Sequence, residues 1–264
     1  MYDLTTCDPG QFDQIGRIAD QLEPIIPAER IMLIGARCRD ILHAAYGCKS
    51  MLRGTSDTDL AIALEDWAAF HAIRERFAAS GDTGHRFLIA DTPVDIVPFG
   101  PVENPAGTVE HPRPSEPMNV HGFRDAFDTA ATIPGEQAVK IARPPAYAVL
   151  KLHAWLDRIE HDTTKDGPDL GLVIQWYLQD DALFDLSEQL LVRYDFDPHL
   201  TAAAAVGQDM VSILSTAEAT ILQERVRGAD RAQLARHLRP YAHVDWAGSS
   251  ERGLTDALFD SILT

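Results

Sequence analysis

Residues 31–46 read IMLIGARCRDILHAAY, and the fold class turns on this stretch. The four apolar residues Ile31 to Ile34 end in Gly35 and read as a short buried strand. Behind the glycine, Ile41, Leu42 and Ala45 recur at the spacing of one helical face, which predicts a helix over 36–46. A strand that runs through a glycine into a helix leaves backbone N–H groups and the positive end of a helix dipole at the turn, a place that favours an anion.

On the N-terminal side, QFDQIGRIADQLE at 11–23 sets Phe12, Ile15, Ile18, Ala19 and Leu22 at helical spacing, and Pro24 and Pro27 end that helix. On the other side, TDLAIAL at 58–64 alternates as a strand. DWAAFHAIRERFAA at 66–79 returns to helical period with Asp66 as N-cap. HRFLIA at 85–90 and PVDIVPF at 93–99 read as two strands with a two-residue connection. Pro101, Pro105, Pro112, Pro114 and Pro117 then follow Pro98, so 100–122 reads as a loop with short edge strands. Helical period resumes at 123–131 and, behind Pro144 and Pro145, at 145–160. Beyond it 167–179, 181–193, 201–226, 230–238 and 253–263 all read as helices. The expected class is α+β: an α/β domain over 1–142 and an all-helical domain over 143–264, without repeats.

At 264 residues the chain has the length of one large or two small domains, and with 45% hydrophobic and 24% charged residues it can bury a core. Its formal net charge of −17 opposes a broad nucleic-acid-coating surface, so a polyanionic substrate needs a local basic pocket or metal ions. Cys7, Cys38 and Cys48 form no CxxC pair or even framework and read as reduced thiols of a cytoplasmic protein. The opening MYDLTTCDPG lacks the basic and apolar regions of a leader, and no run of eighteen apolar residues occurs, so secretion and membrane spanning are not expected.

Three groups of residues carry chemistry. In Ser56-Asp57-Thr58-Asp59-Leu60-Ala61-Ile62, two carboxylates two residues apart on a strand share a face and can hold a hard cation; an Asp-rich turn before a strand is the plain alternative. Asp95 interrupts an apolar strand, where an unpaired carboxylate is costly, so it either joins Asp57 and Asp59 around Mg²⁺ or pairs with a nearby arginine.

The second group is the turn at Gly35 and Ala36. Arg39 and Asp40 lie one helical turn in, and Arg53-Gly54-Thr55 precedes the acidic strand. These residues add donors near a triphosphate or form an ordinary solvated face. The third group is Lys151 within the apolar helix start AYAVLKL, followed by Asp166 and Asp169. Its ammonium either meets a phosphate, snorkels, or pairs with those acids. His153 and Trp155 read as packing or surface residues.

Together, Gly35-Ala36-Arg37-Cys38-Arg39-Asp40, Arg53-Gly54-Thr55-Ser56-Asp57-Thr58-Asp59-Leu60 and Val94-Asp95-Ile96-Val97-Pro98-Phe99-Gly100 resemble the DNA polymerase β-like nucleotidyltransferases, and more narrowly the AbiEii/AbiGii-type toxins. Asn119-Val120-His121-Gly122-Phe123-Arg124-Asp125-Ala126, Leu150 to Trp155, Lys165-Asp166 and Asp169-Leu170 are similar to that family too, so the resemblance spans about residues 30–180. It implies a small mixed sheet flanked by helices, then a helical domain. It also implies transfer of NMP from an NTP to an acceptor hydroxyl with release of pyrophosphate. Asp57 and Asp59 match the metal-holding pair, Asp95 the third carboxylate beside the acceptor oxygen, and Gly35 the phosphate-binding turn. Lys151 and Asp166 match the lysine and aspartate that some members need. Ala36 stands where the superfamily carries serine, which removes one side-chain donor.

In such a site Mg²⁺ ions about 3.5–4 Å apart neutralise the triphosphate during in-line displacement. The resemblance implies the 3′ end of tRNA as acceptor, with Lys140, Arg143, Lys151, Arg158 and Lys165 as a local basic patch, and a cognate antitoxin as partner. The alternatives are transfer to a protein side chain, transfer to an aminoglycoside-like small molecule, and an interaction protein that has lost the reaction.

Overall fold

The structure, a computed structural model, describes residues 2–110, 117–159, 165–180, 188–239, 246 and 248–264. The expected loop positions 112 and 114 and the first part of the helix expected at 181–193 lie outside them. The chain divides into two compact units, one of Asp3–Gly47 and Met51–Arg143, the other of Pro144–Thr264 with Tyr2 and Cys48–Ser50.

The first unit contains α1 (Gly10–Leu22), β1 (Ile31–Ile34), α2 (Gly35–Ala45), β2 (Thr58–Ala63), α3 (Ala68–Arg76), β3 (Arg86–Ile89), β4 (Thr92–Phe99), β5 (Thr108–Val109), β6 (Met118–Asn119), α4 (Phe123–Asp128), β7 (Ala131–Thr132) and β8 (Lys140–Ile141). Its six-stranded sheet has the order β3-β4-β2-β1-β8-β7. The sheet is mixed: β2 runs parallel to β4 and β1 parallel to β8, while β1–β2, β3–β4 and β7–β8 are antiparallel. Because β1 lies between two strands, all four of its residues are buried, which explains an apolar run without alternation. Burying each such Ile or Leu side chain contributes about 1.5–3 kcal/mol.

The hairpin of β3 and β4 turns through Ala90 and Asp91, both in the left-handed region (φ 49° and 59°), as a two-residue hairpin loop requires. Helix α1 secures this turn: Gln14 Nε2 donates to the Ala90 carbonyl at 3.0 Å, and Gln21 Oε1 accepts from Ala90 N at 3.2 Å. Several boundaries differ from the sequence reading. Asp66 accepts from Ala68 N at 2.7 Å, but Trp67 is the cap residue of α3 and the helix ends at Arg76. The pair β5–β6 forms its own small sheet and is not an edge of the main one, and two-residue β7 and β8 join the main sheet. Strands this short carry no periodicity to read.

Among the described residues the second unit is helical: α5 (Pro144–Asp157), α6 (Asp166–Leu178), α7 (Glu188–Arg193), α8 (Pro198–Ser212), α9 (Thr216–Gly228), α10 (Arg231–His237) and α11 (Glu251–Ile262). Helix α8, whose Ala202 to Val206 are buried, packs against α5, α6 and α11. The single helix expected over 201–226 is two helices. Ser215 starts the second one, its hydroxyl accepting from Glu218 N, and Ser215-Thr216-Ala217-Glu218 carries the S-x-x-E pattern of a helix start. Among the described residues no helix is long and apolar enough to cross a membrane, and no disulfide joins the three cysteines.

Candidate functional site

Of the acidic residues singled out from the sequence, Asp57, Asp59 and Asp95 meet in the first unit. Asp59 on β2 stands in parallel register with Asp95 on β4, so the two side chains share one face of the sheet. Asp57 precedes the first residue of β2 and belongs to the loop that leads into it. That loop is gripped by the first turns of α2. Arg37 Nε donates to the Asp57 carbonyl at 3.2 Å, and Arg39 Nη2 donates to the Arg53 carbonyl at 2.6 Å. Thr55 donates its hydroxyl to Asp57 Oδ1 and, ahead of the contrary effect of burial, holds that carboxyl below the usual carboxylate range, with help from Arg86.

Gly35 makes the strand-to-helix turn with φ +67°, a left-handed value that disfavours side chains. A Cβ there would lie 2.0 Å from Asp59 Oδ2, so the Asp59 carboxylate rests directly on the glycine. Glycine is therefore required twice over, by backbone conformation and by contact. Ala36 follows within the first turn of α2, whose opening N–H groups have no partner inside the helix.

The residue that organises the cluster is Arg86 of β3. Its Nε donates to Asp95 Oδ1 at 2.8 Å, its Nη2 donates to Asp57 Oδ2 at 2.8 Å, and the same Nη2 closes on Asp95 Oδ2. Hydrogen bonding to Asp95 first, and then the charges of Asp95, Asp57 and Asp59, raise the Arg86 pKa against the effect of burial. His85 Nε2 lies 3.7 Å from Asp95 Oδ1, but burial lowers the imidazole pKa and outweighs that carboxylate, leaving His85 neutral near pH 7.

Three carboxylates thus face one guanidinium. Their oxygens suit a hard divalent cation in type and charge, but the place between Asp57 and Asp95 is taken by Arg86. Among the described residues no group of three His, Cys, Asp or Glu side chains is arranged to hold a metal ion.

The other residues of the sequence reading fall as follows. Arg39 is neither a solvated residue nor open to a phosphate: its side chain is fully buried, with Nε 2.9 Å from Asp40 Oδ1 and Nη2 on the Arg53 carbonyl. The Arg53 side chain is exposed. In the second unit, Lys151 takes the acid-paired alternative. Its Nζ lies 2.7 Å from Asp169 Oδ2 and 3.3 Å from Asp166 Oδ1, and Asp166 also binds Arg158 at 2.7 Å. Burial alone would lower the Lys151 pKa; Asp169 and Asp166 outweigh it and hold the ammonium protonated. Of the basic patch, Lys140 Nζ donates to the Phe127 carbonyl at 3.1 Å and caps that ring, while Arg143 and Lys165 are exposed. His153 and Trp155 are both buried.

Arg86 escaped the sequence reading. The strands read as 85–90 and 93–99 put the connection at 91–92; the structure puts it at 90–91, which pairs Ile89 with Thr92 and, three steps on, Arg86 with Asp95. Comparison of the chain with protein-family models, with curated proteins and with solved structures returns no match.

Proposed function

We propose that the chain is a nucleotidyltransferase that moves NMP from an NTP to an acceptor hydroxyl. The observation that carries this reading is the register of Asp59 with Asp95 on parallel strands, beside Asp57 and against the glycine that opens α2. The resemblance noted for residues 30–180 supports the same reading. Asp57, Asp59 and Asp95 would hold Mg²⁺, which neutralises the triphosphate and stabilises entering and leaving oxygens. The backbone N–H groups at Gly35 and Ala36 orient phosphate oxygens. In the transfer the acceptor oxygen forms a bond to the α-phosphorus, the bond to the bridging oxygen of the β-phosphate breaks, and pyrophosphate leaves. Asp95 takes the hydroxyl proton on a carboxylate oxygen once Arg86 has left that oxygen.

The acceptor we favour is the 3′ end of tRNA, in the manner of a toxin countered by an antitoxin. The test is label transfer from each of the four α-labelled NTPs, with Mg²⁺, to total tRNA and to total cell protein, comparing wild type with Asp59→Ala. Label on tRNA that disappears in the variant establishes the reading, and label on protein moves the acceptor to a side chain. A second reading, an interaction protein without catalysis, is favoured by the Arg86 contacts that tie up Asp57 and Asp95. Absence of label from every acceptor, aminoglycosides included, selects it.

A further inference from the structure

Arg86 lies on β3, the outermost strand of the sheet on its side, and reaches inward to carboxylates contributed by β4 and by the loop before β2. Such a fork, two nitrogens on one carboxylate and one shared with a second, is among the stronger ion-pair geometries. It sits where the three acids would coordinate a cation. We propose that Arg86 is a built-in competitor of the divalent cation, so that metal binding at Asp57, Asp59 and Asp95 and release of the guanidinium are a single coupled event. The proposal rests on the nucleotidyltransferase reading of the same carboxylates.

Charge and access both favour exchange. A divalent cation brings twice the positive charge of one guanidinium to the three carboxylates and removes more of their mutual repulsion. The Arg86 side chain is 34% exposed, against 13% for Asp95, so the arginine can swing to solvent about its own side-chain torsions while the acids stay in place. Without metal the arginine holds Asp57 and Asp95 together against their mutual repulsion where the loop before β2 meets β4. The apparent metal affinity is then the intrinsic affinity reduced by the fraction of molecules in which Arg86 is disengaged. The protein therefore responds to the cation with a threshold that Arg86 sets.

The experiment is a Mn²⁺ titration of the full chain after chelator treatment, following free Mn²⁺ by its electron paramagnetic resonance signal. Wild type, Arg86→Gln, Arg86→Lys and Asp95→Asn are compared, with a thermal melt of each. Arg86→Gln is expected to bind Mn²⁺ about tenfold more tightly than wild type, because the fork no longer competes. Arg86→Lys, a single-point cation without the fork, is expected to fall between the two and carries the comparison if the Gln variant does not fold. Asp95→Asn is expected to bind more weakly than wild type. Equal or weaker binding by the folded Arg86 variants, with Mn²⁺ binding intact in wild type, overturns the competition and leaves the transferase reading standing. No Mn²⁺ binding by any folded variant overturns both.

Discussion

Arg86 and Asp95 face each other across the antiparallel β3–β4 pair, and the guanidinium of one grips both oxygens of the other. The contact extends to Asp57, so one side chain spans two acidic segments that are far apart in the chain. It joins the hairpin to the loop that carries the first candidate ligand.

Replacing Arg86 by Met removes the counter-charge from Asp95 and Asp57 and leaves their repulsion. In chelator the variant is expected to lose about 1–2 kcal/mol, less than for a fully buried pair because water reaches the guanidinium. Urea unfolding with and without Mn²⁺ checks this; a loss that Mn²⁺ does not reduce would point to packing and not to charge.

Gly35→Ala places a methyl group 2.0 Å from Asp59 Oδ2 and in a left-handed conformation. Backbone strain alone is worth about 1–2 kcal/mol. Displacement of the Asp59 carboxylate is expected to abolish label transfer and to weaken Mn²⁺ binding in the same variant. Full transfer activity in Gly35→Ala would mean that Asp59 does not act from this position.

Lys151→Met leaves Asp169, fully buried, and Asp166 without their shared cation. An uncompensated buried charge of this kind costs about 3–5 kcal/mol. A second change, Asp169→Asn, is expected to recover part of the loss in a double-mutant cycle. A phosphate ligand would show the opposite pattern, with activity lost and unfolding unchanged.

Asp197 caps α8: its Oδ1 accepts from His199 N at 2.9 Å and Leu200 N at 3.1 Å, and Oδ2 accepts from Ser249 at 2.7 Å. Burial pushes its pKa up, but these hydrogen bonds and His199 prevail and hold it below the usual carboxylate value. A carboxyl depressed in the folded state adds stability that is present above its unfolded pKa of about 3.9 and is lost as pH falls through the folded value. Asp197→Ala is therefore expected to cost about 0.5–2 kcal/mol at neutral pH, as helix caps do. Its stability–pH curve should approach that of wild type as pH falls through the folded value; a gap that stays constant through acid would mean that the charge contributes nothing.

The fold class was legible because its decisive segments, IMLI at 31–34, TDLAIA at 58–63 and the hairpin at 86–99, are long enough to show period or a buried run. Strands β7 and β8 were not, since two residues have no period, and the break at Ser215 was hidden by apolar spacing that continued across it. At the candidate site, Asp57, Asp59, Asp95 and Gly35 could be named because an acid in an apolar strand and a glycine between strand and helix are local anomalies. Arg86 could not, because an arginine in a strand looks ordinary until its partner is known; Arg39 was named as a donor near a triphosphate, but its actual partners, Asp40 and the Arg53 carbonyl, were not legible.

The sequence by itself determined which of the longer segments become strand or helix and which side chains are chemically out of place, because backbone conformation and burial preference act over a few neighbouring residues. Only the tertiary structure decided how the charges pair: that Lys151 goes to Asp169 and Asp166, that Arg39 is buried on the loop before β2, and that Arg86 stands among the acids a cation would need. Electrostatic pairing is set by distances of a few ångströms between residues 9 to 29 positions apart around Arg86, and strand order and register are what bring them that close.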